Sequence, residues 1–518
     1  MESQALYGVE YTLLDPLPVR LVQNEPLLIG LQLRNTGLAP WLASGYPVMV
    51  VTRWTTPYGQ VVNELPWQPL PQPVPAGETV TIELRVEATL PPGEYLLTIE
   101  LVEHAVAWFR ERGVAPLCCS FTIEPPRGPR ITVINGNCLA NDAVGTHVAA
   151  QIRALAEAGF QPLLLTGFID DRLPRSWRRF MVLASPQDIL HPNERSQSFV
   201  DHFQRSAAVI VNYSTYYDLV QLIRVAQAPV LFDYHGVTPP AIWGVGQPGY
   251  EDLVRGIAHL HLVQFADYAV AHSQYMVDEL VATGLIAPSR ASVLPYPVVG
   301  EAAYAGPPDP QLQQQYGLVG KRVLLYVGRM ARNKRIHILV EALPLIRERY
   351  PDTVLLLVGE TGHAYAGYVA ETKALAAKLG VAEAVIFTGA QNRDSISAFY
   401  RLCNVFVMAS IHEGFCMPVM EAMALGKPVV AAAATALPAT VGDAGLLFTP
   451  DDPADLARQV LRVLAAQEET PVSNSLTVEQ AQQALSRQPI AFVTPRYGQD
   501  VLGGAERGAQ TWAEQLAA

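Results

Sequence analysis

The sequence predicts an all-β sandwich of immunoglobulin-like architecture followed by two Rossmann-like α/β domains. Three observations carry this expectation. Up to residue 126, short apolar runs are cut by Pro and Gly, with no helical periodicity between them. Beyond the stiff Pro125-Pro126-Arg127-Gly128-Pro129 segment, strand-like and helix-like runs alternate, as in a parallel sheet covered by helices. The alternation continues past residue 300, and a chain of 518 residues, 50% of them hydrophobic, is long and apolar enough for about three cores.

Residues 1–126 are assigned to the β domain. Runs at 27–33, 48–54, 79–86 and 95–102 read as strands, and 79–86 alternates apolar and polar side chains as a half-exposed strand does. Pro75-Ala76-Gly77 and Pro91-Pro92-Gly93 are turn signals. Trp41, Trp54, Trp67 and Trp108 have two readings: filling a small core or its edges, the commoner use, or offering aromatic faces to a ligand.

The first α/β domain is assigned to 130–300. A short apolar strand at 131–134 leads into Asn135-Gly136-Asn137 and Gly145, and 148–158 reads as a helix. The loop lacks the G-x-G-x-x-G spacing, so dinucleotide binding is not supported. Further strands are read at 162–165, 180–184, 208–211, 230–232 and 268–271. The segment Asp233-Tyr234-His235-Gly236-Val237-Thr238-Pro239-Pro240 follows directly on a strand, where α/β sheets place ligands. His235 is its candidate site residue.

The second α/β domain is assigned to 301–468. Gly328 and Arg329 follow a strand at 323–327, Lys334 lies just beyond, and 336–347 is a helix. A planar cationic fork and a mobile point charge at a strand end suit a diphosphate. Cations at a helix start oppose its dipole, which disfavours reading them as incidental. Strands at 354–359 and 385–389 follow, the latter ending at Gly389. Residues 405–410 read as a buried strand and 411–417 as a loop. Pro418 suits the first turn of a helix running to about Leu425, which Gly426 ends. Glu413 in the loop and Glu421 about one turn into the helix flank a helix N-terminus, whose N–H groups and dipole suit an anion. The plain alternative is a strand–loop–helix unit with two solvated glutamates.

The stretch VFVMASIHEGFCMPVMEAMALGK (405–427) resembles the E-x7-E motif of the retaining glycosyltransferases of family 4, which have the GT-B fold. The match includes Gly414, Phe415, Pro418, Glu421, Ala422, Met423, Ala424 and Gly426. VGRMARNKRIHILVEAL is similar to the family's GR-x4-K phosphate site, with Gly328, Arg329 and Lys334 aligned. The His235 segment is similar to the YH-x-[IV]-T-P-P segment of a bacterial branch, and 443–448 to the usual closing segment. The first loop, with Asn137 and His147, departs from the family's double-glycine pattern. The resemblance covers about residues 130–465.

It implies transfer of a sugar from a nucleotide-diphosphate sugar to a glycan or lipid-linked acceptor, most often in cell-surface polysaccharide synthesis. Arg329 and Lys334 would hold the diphosphate, Glu421 the ribose and Glu413 the sugar. His235 would approach from the first α/β domain, as donor to a sugar hydroxyl or as a stabiliser of charge near the reacting carbon. Gly328, Gly389, Gly414, Phe415, Cys416, Met417 and Pro418 would complete the donor site. The resemblance implies no metal, and no convincing Asp-x-Asp motif is present. Another GT-B enzyme, an epimerase or phosphorylase, and a non-catalytic carbohydrate-binding scaffold are the alternatives.

Composition narrows the setting. A net charge of −12 argues against a general nucleic-acid binder, and peripheral membrane association is not evident. Five cysteines without a Cys-x-x-Cys or Cys/His cluster point to neither a disulfide framework nor a zinc site. Neither a signal peptide nor a membrane span is expected, which suggests the cytoplasm. Residues 469–489 read as a polar linker. Residues 490–518, with Gly503, Gly504, Ala505 and Glu506, resemble the truncated start of a second family 4 unit, or else form a tail that docks on the existing fold.

Overall fold

The structure, a computed structural model, describes residues 6–126, 128–139, 142–246, 249–296, 309–362 and 365–469. The expected start of a second unit, and the expected linker apart from its first residue, lie outside the described residues. Among the described residues, no helix is long and apolar enough to cross a membrane. The chain divides into two compact units: residues up to 133 together with 137–207, and 134–136 together with 208 onward.

In the first unit, Val9–Leu13, Pro26–Asn35 and Thr79–Glu87 form an antiparallel sheet. A second sheet runs through Arg20–Val22, Leu117–Glu124, Gly93–Glu103, Val48–Thr55 and Val61–Glu64 in that order. It is antiparallel except where Arg20–Val22 lies parallel to Leu117–Glu124. Strand periodicity explains the core. Thr79–Glu87 buries Val80, Ile82, Leu84 and Val86, which join Ile29, Leu31 and Leu33 and, from the second sheet, Val50, Leu97, Ile99 and Phe121. Trp41 and Trp54 are buried in the same core, so packing is their role.

The outer face of the second sheet is unusual, because it buries charge. Glu100 is only 2% exposed and accepts from Arg53 and, at 2.9 Å, from Arg110; Arg53 also donates to Glu64 at 2.5 Å. Burial pushes the Glu100 carboxyl up, against the pull of Arg110 and Arg53, whereas the hydrogen bond from Arg53 holds Glu64 low. Trp108 lies under the Arg53 and Arg110 guanidiniums at 4.2 and 4.8 Å and meets Trp67 edge to face at 5.4 Å. These two tryptophans therefore cover a buried ion cluster.

The same unit takes in Ala143–Glu157, Gln161–Thr166 and Met181–Leu183, although the sequence places a boundary at 126–130. Ion pairs give the physical reason. Glu83, on strand Thr79–Glu87, accepts from Arg175 at 3.0 Å and from Arg178 at 2.6 Å, and Arg175 also reaches Asp15 at 2.6 Å. Gly30 makes room for this contact, since a Cβ there would lie 2.5 Å from Arg175 Cζ.

In the second unit, Ala208–Tyr213, Val230–Tyr234, Tyr268–Ala271 and Ala291–Val293 are successive parallel strands. Val230–Tyr234 extends past the predicted 230–232, which places Asp233 inside the strand at 0% exposure. A six-stranded parallel sheet follows, ordered Val385–Gly389, Thr353–Val358, Arg322–Val327, Val405–Met408, Val429–Ala432, Leu446–Phe448. Runs such as TVLLLV are buried along their whole length, as strands covered on both faces must be.

Truncating Glu100 to Ala leaves Arg53 buried with only Glu64. Urea unfolding should show a loss of about 3 kcal/mol, the scale for removing one partner of a buried pair. A loss within about 0.5 kcal/mol, the range of an ordinary surface substitution, would mean that the cluster is effectively solvated.

Candidate active site

The six-stranded sheet begins with Arg322–Val327, grows outward on one side through two strands, and then restarts on the other side with Val405–Met408. Beyond the C-terminal ends of these two neighbours lies the switch point, the place where open α/β sheets bind ligands. The expected donor-site residues cluster along this edge.

Two glycines shape the floor. Gly328 donates to the Val358 carbonyl at 2.9 Å, and a Cβ on it would lie 2.7 Å from the Tyr326 hydroxyl. A Cβ on Gly359 would lie 1.9 Å from the Gly328 carbonyl oxygen. Only glycine lets these two strand ends approach so closely. The Tyr326 hydroxyl donates to the Arg329 carbonyl at 2.9 Å, which fixes the backbone of the exposed Arg329. Gly389, with φ 72°, ends its strand and accepts from the Gly359 N–H at 3.1 Å.

Lys334 closes the short 3-10 turn Arg332–Lys334 and reaches Glu413 Oε1 at 2.6 Å. Their side chains are only 14% and 11% exposed. The loop carrying Glu413 is held by hydrogen bonds. Thr435 Oγ1 accepts from the Glu413 N–H at 2.9 Å and donates to the Glu413 carbonyl at 3.0 Å, and Thr440 donates to the Phe415 carbonyl at 2.7 Å. The carbonyl of Asn333, one residue before Lys334, accepts from the Ile411 N–H at 3.0 Å.

Cys416 takes a left-handed φ of 76° and caps the helix Met417–Ala424, with Pro418 in its first turn. Burial pushes the Cys416 thiol far up, so this cysteine is a packing group and not a nucleophile. Glu421 accepts from the Tyr400 hydroxyl at 2.8 Å, and Tyr400 is 0% exposed on helix Arg393–Leu402. The site therefore combines one ion-paired cation, an exposed guanidinium, two oriented carboxylates and a helix N-terminus.

The strand ends around His235 meet the Glu413 loop. Ser273 Oγ donates to the Gly414 carbonyl at 2.6 Å, and Tyr296 faces Phe415 with ring centroids 5.5 Å apart. A Cβ on Gly414 would lie 2.7 Å from Met276 Sδ and 3.2 Å from the His235 carbonyl oxygen. His235 thus stands where the sequence places it, but its ring is committed elsewhere. Nε2 is 2.9 Å from Asn212 Oδ1, and Nδ1 contacts the Tyr296 hydroxyl and lies 3.0 Å from His272 Nε2. Both ring nitrogens have partners in its own cluster, and its main chain faces the Gly414 loop.

Several contributors escaped sequence reasoning. Tyr400 and Thr435 lie just outside the 405–427 stretch and act through side-chain hydrogen bonds that no spacing encodes. Gly359 had a signal, a glycine closing the strand beside the one that carries Gly328. Ser273 lies two residues past the strand Tyr268–Ala271, but its contact with Gly414 depends on tertiary placement.

The family profile described as Glycosyltransferase Family 4 matches residues 144–299, and the one described as Glycosyl transferases group 1 matches residues 309–475. The chain belongs to the family 4 glycosyltransferases with the GT-B fold. The D-inositol 3-phosphate glycosyltransferase of Mycolicibacterium vanbaalenii is 31% identical over 232 residues, 42% of this chain and 50% of that protein. The O-antigen chain mannosyltransferase B of Escherichia coli is 32% identical over 175 residues, 33% of this chain and 44% of that protein. The chain spans about half the length of the curated relatives it matches. Among solved structures, Anabaena HepE in complex with UDP and glucose aligns with a TM-score of 0.57 at 20% identity, over 75% of this chain and 100% of that one. The sucrose-phosphate synthase of Thermosynechococcus elongatus aligns at 0.51 and 20% identity, over 75% and 97%. Both share the fold.

Replacing Gly414 with Ala sets a Cβ against Met276. Thermal or urea unfolding should show a loss of about 1–3 kcal/mol, and a smaller loss in a Met276→Ala background, where the obstructing sulfur is gone. Additive effects of the two changes would show that this contact is not made.

Proposed function

We propose that the chain is a retaining glycosyltransferase that moves a sugar from a nucleoside-diphosphate sugar to a glycan or lipid-linked acceptor. The observation that carries this reading is the convergence of Lys334, Glu413 and the start of helix Met417–Ala424 at the switch point of one parallel sheet. A Lys ammonium has three N–H donors, so Lys334 can keep Glu413 and still bind phosphate oxygens. Arg329 adds the second positive charge, and the helix N-terminus adds N–H groups. Glu421, oriented by Tyr400, accepts from the ribose hydroxyls, and Glu413 from the sugar.

Chemistry follows from that seat. The bond between the anomeric carbon and the diphosphate oxygen breaks, and negative charge grows on the leaving phosphate, where Arg329 and Lys334 neutralise it. The acceptor hydroxyl attacks the same face, and the departing phosphate oxygen takes its proton. Side-chain cations do the work that a metal bound to the diphosphate would otherwise do. His235 is assigned to holding its loop against Gly414.

Anabaena HepE, which shares the fold, was crystallised in complex with UDP and glucose, and this supports a nucleotide-sugar donor. The similarity to an O-antigen chain mannosyltransferase supports a role in cell-surface glycan assembly. We read the N-terminal sheets as an immunoglobulin-like accessory sandwich. It braces the 175–178 helix through Glu83 and Asp15, and its Trp67–Trp108 pair is spent on covering charge rather than on stacking a sugar.

A panel of uridine, guanosine and adenosine diphosphate sugars, scored by calorimetry and slow hydrolysis, tests the reading. One nucleotide should bind selectively. Arg329→Ala and Glu421→Ala should each weaken it about tenfold or more, the cost of a charge-assisted hydrogen bond, and Tyr400→Phe should weaken it less. Absence of binding to every member by the folded protein would leave a non-catalytic scaffold. Full conversion of the donor without any acceptor would point to an epimerase or phosphorylase.

A further inference from the structure

We propose that Asp233, His235 and His272 form a binding site for one divalent transition-metal ion, zinc by its donor set, at the ends of two neighbouring parallel strands. The inference stands apart from the donor seat of Arg329, Lys334, Glu413 and Glu421, because it uses none of those side chains.

Val230–Tyr234 and Tyr268–Ala271 pair in parallel with Asp233 opposite Val270, so His272 emerges one step past its strand, beside the Asp233–His235 turn. His235 Nδ1 lies 3.0 Å from His272 Nε2, and His272 Nε2 lies 3.2 Å from Asp233 Oδ1. All three donor atoms fall within 4.8 Å of one another. Ligands at about 2.0–2.1 Å from a tetrahedral zinc are separated by roughly 3.3 Å, so the group needs only small adjustments to close on an ion.

Hydrogen bonds decide the tautomers. His272 Nδ1 lies 2.8 Å from the Leu294 carbonyl, and a carbonyl can only accept, so the proton sits on Nδ1. His235 Nε2 lies 2.9 Å from Asn212 Oδ1, which in the same way places its proton on Nε2. His235 Nδ1 and His272 Nε2 then face one another and the Asp233 carboxylate. Asp233 and His272 have side chains of 0% exposure, so these donors are gathered out of water. One metal ion would be shared by all three. The Tyr296 hydroxyl, against His235 Nδ1, places a second oxygen beside them.

The outer contacts follow the same logic. Histidine ligands of zinc typically donate their second N–H to a carbonyl or carboxylate, which fixes the ring and its tautomer. Leu294 and Asn212 hold those positions here. The ion would lock the His235 loop to the 272–296 segment, the two pieces that meet the Gly414 loop. Sequence spacing hides the group, because its ligands come from two strand ends and include no cysteine.

The test uses the full chain without a histidine tag, stripped with chelator and titrated with zinc against a chromophoric competitor. About one equivalent should bind. His272→Gln should weaken it on the order of 100-fold, and Asn212→Ala about tenfold, while calorimetric binding of the selected nucleotide sugar is retained. Cobalt added to the stripped wild-type protein should give the intense visible bands of a tetrahedral nitrogen–oxygen site, a readout that survives if His272→Gln does not fold. Zinc binding no stronger than in the variants, or cobalt bands of octahedral intensity, would overturn the proposal.

Discussion

The buried ion pair between Lys334 and Glu413 ties together the two loops that form the candidate donor seat. Each side chain is nearly out of water, so neither is tolerable without the other: removing one partner of such a pair costs about 3–5 kcal/mol. The surroundings are built to hold it. Thr435 grips the Glu413 backbone at both N–H and carbonyl, and Asn333 pins the loop at Ile411. A hydrophobic pair would stabilise the same place as well or better. The pair makes physical sense as a ligand seat, where charge kept in a dry crevice acts on a diphosphate more strongly than in water.

That seat depends on strand order and on glycine. The sheet restarts beside its first strand, which opens the crevice, and Gly328 and Gly359 let two strand ends cross at a distance that no side chain permits. Gly414 does the same where the His235 loop and Ser273 meet the Glu413 loop. At Cys416 a non-glycine residue accepts a left-handed backbone to start the helix Met417–Ala424.

Much of this was legible in the sequence. Buried parallel strands announce themselves as apolar runs, and Pro418 and Gly426 mark the two ends of a helix that the structure places at Met417–Ala424. The alternation in 79–86 identified its core face residue by residue. What was not legible depends on side chains meeting across the fold. The family resemblance placed Lys334 and Glu413 near a common ligand but did not show that they pair. His235 was in the right loop, yet its ring orientation is set by Asn212, Tyr296 and His272, which lie far away in sequence. The proline-rich segment marked a boundary, while Glu83 binding Arg175 and Arg178 draws 137–207 into the first unit. Trp67 and Trp108 left two readings open, core or edge filling being the commoner, and the buried Glu100 cluster beneath them is visible only in three dimensions.

The claim that Lys334 serves the diphosphate while Glu413 serves the sugar is tested most directly by comparing a nucleoside diphosphate with its sugar conjugate in calorimetry. Lys334→Met and Glu413→Gln are measured side by side. The account predicts that Lys334→Met weakens both ligands tenfold or more, on the scale of one charge-assisted contact, whereas Glu413→Gln weakens only the sugar conjugate. Unchanged nucleoside diphosphate affinity in folded Lys334→Met would contradict it.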